Sequence, residues 1–196
     1  MWMLLVVRGA AASGLTPMPL ALFHRLVFLS NTLAALYDAA PPSEFVMKHR
    51  RGPFYPQAQR ELEWLSVRGL TELSDLHWTG ESTVEASVTL SSAGNQLVEA
   101  SVEASRWCRD VVSFLTDLAA AVASVDEGSE VTVADHDLTY SQKWARPYSV
   151  IAFRQPEDRL SVKGAQRIVE ELPSKLQPHR QQKLRIYLQY LEELAA

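Results

Sequence analysis

The sequence predicts an α+β fold that is mostly helical, with a β-hairpin near its middle. Apolar residues recur every three or four positions over several long stretches, which is the period of an amphipathic helix. One stretch instead alternates, with Val84, Ala86, Val88 and Leu90 separated by polar residues, as in a half-buried strand. The chain has 196 residues, of which 47% are hydrophobic and 21% charged, so it can bury a core without disulfides or metals.

The N-terminal part is predicted to contain three helices. Residues 2–12 are apolar and contain no helix breaker. Thr16, a hydroxyl N-cap before Pro17, predicts the start of a second helix that ends near Asp38. A third helix is predicted over residues 55–67. Its predicted apolar positions are Leu62, Trp64, Leu65 and Val67.

Two extended segments, 70–78 and 83–90, follow the third helix and predict a β-hairpin. Three helices followed by a hairpin is the order of a winged-helix module, with the hairpin as its wing; this name rests on analogy between folds. One long connecting helix is then predicted from Ser91 or Ser92 to about Ser124, as a strut or a partner-facing helix.

A domain boundary is predicted at residues 126–129, which are polar and contain glycine. It divides the chain into a winged-helix-like domain with the long helix, 1–125, and a small C-terminal α/β part, 126–196. The second part is predicted to end in an amphipathic helix over about 179–194. The acidic run Asp135-His136-Asp137 is interpreted as a solvated loop, because alternate residues of an extended segment point to opposite sides.

Charge and cysteine content exclude several classes of protein. Nineteen Lys and Arg against 23 Asp and Glu give a net charge of −4, which disfavours a surface that binds nucleic acid everywhere. A single cysteine, Cys108, excludes an intramolecular disulfide framework.

No apolar stretch approaches the roughly 20 residues that cross a bilayer, and residues 1–8 read as a core helix rather than a signal peptide. We therefore expect a cytoplasmic protein that does not bind membranes.

The sequence offers no catalytic centre. It contains neither a phosphate-binding glycine loop nor a nucleophile elbow. Its five histidines are isolated, and none pairs with another at helical spacing to form a zinc-binding face. We expect no catalytic residue, no cofactor and no metal, and therefore a protein that is not an enzyme.

Two sets of residues are candidates for binding. Lys48, Arg50 and Arg51, with Arg68 after the third helix, could contact a DNA backbone, although the run also suits a solvated turn. Glu61 and Glu63 on the third helix would repel phosphates, so protein binding is favoured over DNA reading. The candidates for partner contact are Trp107, Trp144, Tyr187, Leu188 and Leu191. The stripe of the last helix could equally complete the core of this chain.

Several short motifs carry a resemblance to a known family. They are Leu26-Val27-Phe28-Leu29, Gly52-Pro53-Phe54, Leu62-x-x-Leu65-x-x-x-Gly69-Leu70, the hairpin end Thr89-Leu90-Ser91-Ser92-Ala93-Gly94, and Asp137-Leu138-Thr139-Tyr140. Together they resemble the winged-helix middle components of bacterial ABC three-component conflict systems, to which the Lamassu accessory subunit LmuC belongs. Panacea or SocA-like antitoxin and adaptor domains share part of the pattern. The resemblance covers most of the chain, and its motifs are mainly turn glycines and core leucines.

The resemblance implies a non-catalytic accessory subunit of a bacterial anti-phage or anti-plasmid defence complex. Such a subunit bridges an SMC/Rad50-like ATPase and an effector nuclease, with DNA as a further contact of the complex. The alternative is a winged-helix DNA-binding regulator or antitoxin-like adaptor. That alternative predicts a basic stripe along the hairpin, whereas the hairpin tip carries Glu81 and no lysine or arginine.

Overall fold

The protein has an α+β fold with two small antiparallel sheets, which confirms the predicted class. The computed structural model describes residues 1–37, 39–40, 42–43, 45–49, 52–79, 83–124, 137, 140, 148–152, 160, 163–164, 167 and 179–195.

The first two helices differ in how well the sequence predicts them. Helix α1 (Trp2–Ala12) has the predicted bounds. Helix α2 (Leu20–Leu33) starts later than Thr16 indicates, because strand β1 (Met18–Pro19) pairs with a later strand before the helix begins. A 3₁₀ turn over Ala34–Tyr37 follows α2.

The basic run Lys48-His49-Arg50-Arg51 begins within a strand. Strands β2 (Phe45–His49) and β3 (Gly52–Phe54) pair antiparallel, with Lys48 opposite Pro53. Arg50 and Arg51 lie between these strands and outside the described residues.

Helix α3 (Pro56–Val67) and strands β4 (Thr71–Thr79) and β5 (Thr83–Leu90) confirm the predicted third helix and hairpin. A proline at the first helical position suits the helix start. The turn after α3 passes through Gly69 with φ +69°, a conformation that favours glycine. Strand β5 lies between β1 and β4, so β4 forms an edge of this sheet in the described part of the chain. We call the β4–β5 hairpin the wing.

The prediction of one long helix after the wing is wrong. Two helices replace it, α4 (Ser92–Ala104) and α5 (Arg106–Ala123). Ser105 between them has extended backbone, and its hydroxyl accepts a hydrogen bond from the Cys108 N–H. Because a serine N-cap satisfies a helix-terminal amide, this residue starts a new helix instead of continuing the old one.

The C-terminal residues that the structure describes complete the same core as the N-terminal helices. Strand β6 (Val150–Ala152) joins β2, with Ile151 opposite Val46 and both side chains buried. Helix α6 (Arg180–Ala195) packs on α5. The predicted boundary at residues 126–129 lies outside the described residues, and described residues on both sides of it belong to one hydrophobic cluster.

Candidate protein-binding surface

One face of the wing starts in the core and continues into solvent. Residues directly opposite on paired strands share a face, which places Leu73 beside Val88 and Trp78 beside Val84. Val88 is buried, but Val84 and Leu73 are exposed, and Trp78 is 72% exposed. We call Leu73, Trp78 and Val84 the wing face.

Strand β4 also has an irregularity in its middle. Its pairing with β5 shifts between Ser74 and His77, and Asp75 there has a φ of 53°, in the left-handed region. This is a β-bulge, which bends a strand and disturbs its ladder. Leu76 lies within the bulge, is 67% exposed and precedes Trp78 by two residues on the same face of the strand, so we include it in the wing face.

Helix α3 exposes apolar residues on its outer side. Ala58 and Leu62 are buried, whereas Trp64 is 59% and Val67 81% exposed. The predicted apolar positions of this helix are therefore divided between the core and the surface. Trp64 and Val67 are three residues apart, so they are neighbours on one face, and that face is directed to solvent.

Carboxylates outnumber cations around these apolar residues. The described residues from α3 through β5 carry five acidic side chains against two arginines. They are Glu61, Glu63, Glu72, Asp75 and Glu85, against Arg60 and Arg68. His77 lies 3.5 Å from the Glu85 carboxylate, on the face of the wing opposite the wing face.

Of the four residues predicted to contact DNA, the structure describes Lys48 and Arg68. The Lys48 ammonium donates a hydrogen bond of 3.1 Å to the Tyr140 carbonyl and lies 4.9 Å from the centre of its ring. Lys48 is therefore engaged within the protein. Arg68 is exposed at the end of α3, beside the acidic surface, and Arg50 and Arg51 are not described.

Asp137 is buried, so the prediction of a solvated loop at this residue is wrong. Its carboxylate accepts a hydrogen bond of 2.7 Å from the Tyr187 hydroxyl and one of 3.2 Å from the Tyr140 N–H. Burial, and next the charge of Asp137, raise the pKa of Tyr55 well above its usual value. The carboxylate and the three tyrosine side chains are closed to solvent, so this cluster holds α6 against the core.

A second buried polar contact fixes the start of α3. His24 Nδ1 accepts a hydrogen bond from the Tyr55 N–H, and Nε2 lies 3.1 Å from Gln59 Oε1. Burial lowers the pKa of His24 to about 4, so the ring is neutral at pH 7. The neutral ring fits this contact, since one nitrogen accepts and the other donates.

The candidates for partner contact in the C-terminal half have different positions. Tyr187, Leu188 and Leu191 are buried in the core of this chain, which fits the alternative that the stripe of the last helix completes that core. Trp107 is 41% exposed and packs edge-on against Trp2, with ring centres 5.7 Å apart. Trp144 lies outside the described residues. The sequence candidates do not include the exposed apolar residues of the wing, although the alternating pattern of β5 is visible in the sequence.

Trp107 borders an open groove of about 700 Å³ between α5 and the start of α6. Asp117 joins the walls of this groove, because its carboxylate accepts hydrogen bonds from the Tyr37 hydroxyl and the Gln181 amide. Arg106 lies 3.6 Å from Asp110 at its rim.

The described residues contain no group of three or more His, Cys, Asp or Glu side chains that could hold a metal ion. None of the helices described is long and apolar enough to cross a membrane. The chain matches no protein-family model, and comparison with curated proteins and with solved structures gave no match.

Proposed function

We propose that this protein is a non-catalytic accessory subunit that binds other proteins through its third helix and wing. The observation that carries the proposal is the exposed apolar surface of these two elements, which includes Trp64, Val67, Leu76 and Trp78. Large contiguous apolar surfaces on a folded protein are characteristic of interaction sites, and tryptophan is enriched among residues that dominate binding energy.

We further propose that α1 to β5 form a winged-helix arrangement into which the β2–β3 hairpin is inserted. Strand β1 lies before α2 and pairs with β5, while α3 leads directly into the wing. In such a module the third helix and the wing are the elements that meet a target. Here both carry exposed apolar residues and more carboxylates than arginines, which favours a protein target over a phosphate backbone.

The partners we propose follow the motif resemblance. They are an SMC/Rad50-like ATPase and an effector nuclease of a bacterial defence complex, which this subunit would bridge. Buried side chains such as Leu26, Leu62 and Tyr140 account for several of the shared motif positions, so the motifs fit a common packing role.

A pull-down tests this proposal. Tagged full-length protein is recovered from cells that express its neighbouring genes, and bound proteins are identified by mass spectrometry. We expect a large coiled-coil ATPase and a nuclease-like protein with the wild type, and their loss with the double variant Leu76→Ser/Trp78→Ser. The matched control is Leu97→Ser, since Leu97 is an exposed leucine on α4. Equal recovery of the partners with the double variant and with Leu97→Ser would show that the wing does not bind them.

The second candidate is a DNA-binding regulator. Its support is the basic run in the sequence, in which Lys48 and His49 at the end of β2 are followed by Arg50 and Arg51. It predicts duplex binding that weakens steeply with salt and is lost in Arg50→Ala/Arg51→Ala. We expect instead no DNA binding that depends on these residues at physiological salt.

A further inference from the structure

We infer that the wing face binds one amphipathic helix of a partner, about three turns long, whose apolar stripe is bordered by lysine or arginine. This inference rests on the proposed function and names the kind of partner element that the same surface accepts. It depends on the bulge in β4, the spacing of the wing face and the charges around it.

The edge of β4 is poorly suited to the addition of a partner strand. An added strand needs a continuous row of backbone donors and acceptors. The bulge between Ser74 and His77 interrupts that row, and Asp75 places a charge at the interruption. Bulges and charges are the means by which proteins prevent pairing at exposed sheet edges. The partner therefore meets the wing through its face.

The spacing of the wing face matches a short helix. Leu73 and Trp78 lie opposite Val88 and Val84, which are four positions apart on β5, so the wing face extends over about 13 Å along the strands. A helix rises about 1.5 Å per residue, so three turns, about 16 Å, cover this distance and bring three or four apolar side chains onto one face. Helices commonly cover the apolar face of a small antiparallel sheet.

The surrounding charges favour a basic partner and disfavour a second copy of this chain. Glu72 and Glu85 lie on the reverse face of the wing, and Asp75 lies at its edge. With Glu61 and Glu63 on α3, the described residues from α3 through β5 have five carboxylates against two arginines, so this surface is negative overall and attracts cationic ligands. Two copies that met through their wings would bring two negative surfaces together, whereas flanking lysines or arginines would be attracted.

Three synthetic 15-residue peptides and the full-length protein test the inference. The first has leucines at helical spacing on a lysine background, the second replaces the lysines by glutamate, and the third replaces the leucines by serine. We expect the Leu/Lys peptide to bind wild type about tenfold more tightly than Leu76→Ser/Trp78→Ser. We also expect no measurable binding of the other two peptides. The control is Leu97→Ser, whose affinity for the Leu/Lys peptide should be within about twofold of that of the wild type. Leu97 is as exposed as Leu73, at 39%, but it lies on α4 and not on the wing.

Hydrogen exchange of the complex distinguishes the two modes of docking. A helix on the wing face should leave the outward amides of β4 exchanging as in the free protein. Protection of those amides would indicate strand addition and overturn the inference. Equal affinity of the Leu/Lys peptide for wild type and double variant, equal binding of the Ser/Lys peptide, or a dimer that the double variant abolishes would also overturn it. If none of the peptides binds but the pull-down still depends on the wing, the inference of a helical partner element is wrong and the proposed function stands.

Discussion

The cluster around Asp137 and the wing depart from the usual distribution of residues in opposite directions. Around Asp137 the protein buries a carboxylate and three tyrosines, whereas on the wing it exposes Leu76 and Trp78. A buried polar group or a large exposed apolar surface is unusual in a folded protein and therefore indicates a specific role for that region. Single exposed leucines are common and indicate nothing of the kind. The difference lies in what satisfies each group. Asp137 finds its donors within the chain, whereas the apolar side chains of the wing remain in contact with solvent.

This comparison separates stability from binding. Residues of the core and the Asp137 cluster should determine the free energy of unfolding and have no direct role in binding. Residues of the wing face should determine partner binding and have little effect on the free energy of unfolding. The following predictions test that separation, from the largest expected effect on stability to the smallest.

Leu188→Ala should lower the free energy of unfolding by about 4 kcal/mol, since Leu188 is buried in α6 and its loss leaves a cavity. Leu76→Ala on the wing should change it by less than about 0.5 kcal/mol. Urea denaturation of the two variants measures both values. A small effect at Leu188 would mean that α6 does not belong to the core.

Asp137→Ala should lower the free energy of unfolding by about 3 kcal/mol, because it leaves the buried Tyr187 hydroxyl without its acceptor. Asp117→Ala is the matched control. Asp117 also accepts from a tyrosine hydroxyl, but it is only partly buried, so about 1 kcal/mol or less is expected. If urea denaturation shows equal losses of unfolding free energy for the two variants, the Asp137 cluster does not hold α6 against the core.

The stability of the protein should fall by about 2 kcal/mol between pH 7 and pH 5 because of His24. The pKa of His24 is about 4 in the folded protein and 6.5 in an unfolded chain, so the unfolded chain binds more protons in this interval. The loss begins as the pH falls below 6.5 and levels off below 4. Denaturation at several pH values, compared with His24→Gln, measures it. The same pH dependence in that variant would assign the effect to other groups.

Leu76→Ser/Trp78→Ser should change the free energy of unfolding by less than about 0.5 kcal/mol, because both side chains are largely exposed. The same variant should lose partner binding. Thermal denaturation and the pull-down together measure this. A loss of stability comparable to that of Leu188→Ala would show that the wing residues serve the fold.

Local signals were sufficient to predict much of the fold. The apolar run of α1, the proline at the start of α3 and the alternation along β5 each specify an element without help from distant residues. The break at Ser105 was missed because no glycine or proline marks it. A serine cap there depends on the backbone turning, which the sequence does not dictate. Strand β1 has only two residues and exists because β5 pairs with it.

The candidate site was predictable only in part. Periodicity could have separated Trp64 and Val67 from Leu62, because these residues cannot lie on one side of a helix. The burial of Asp137 could not be read locally, since its hydroxyl donor Tyr187 is fifty positions away. The exposure of the wing face depends on how much of the β4–β5 hairpin the core covers, which is decided only when the whole chain is packed.

The most direct test places a photoreactive amino acid at position 78 in the full-length protein in its native cells. A second protein with the same group at position 97 serves as the control. The account predicts that light will join position 78 to another protein, and that proteolysis will locate the cross-link in an amphipathic segment rich in lysine or arginine. Position 97 should give no such product. Cross-links to nucleic acid at position 78, or the same products from both positions, would contradict the central claim that the wing binds protein.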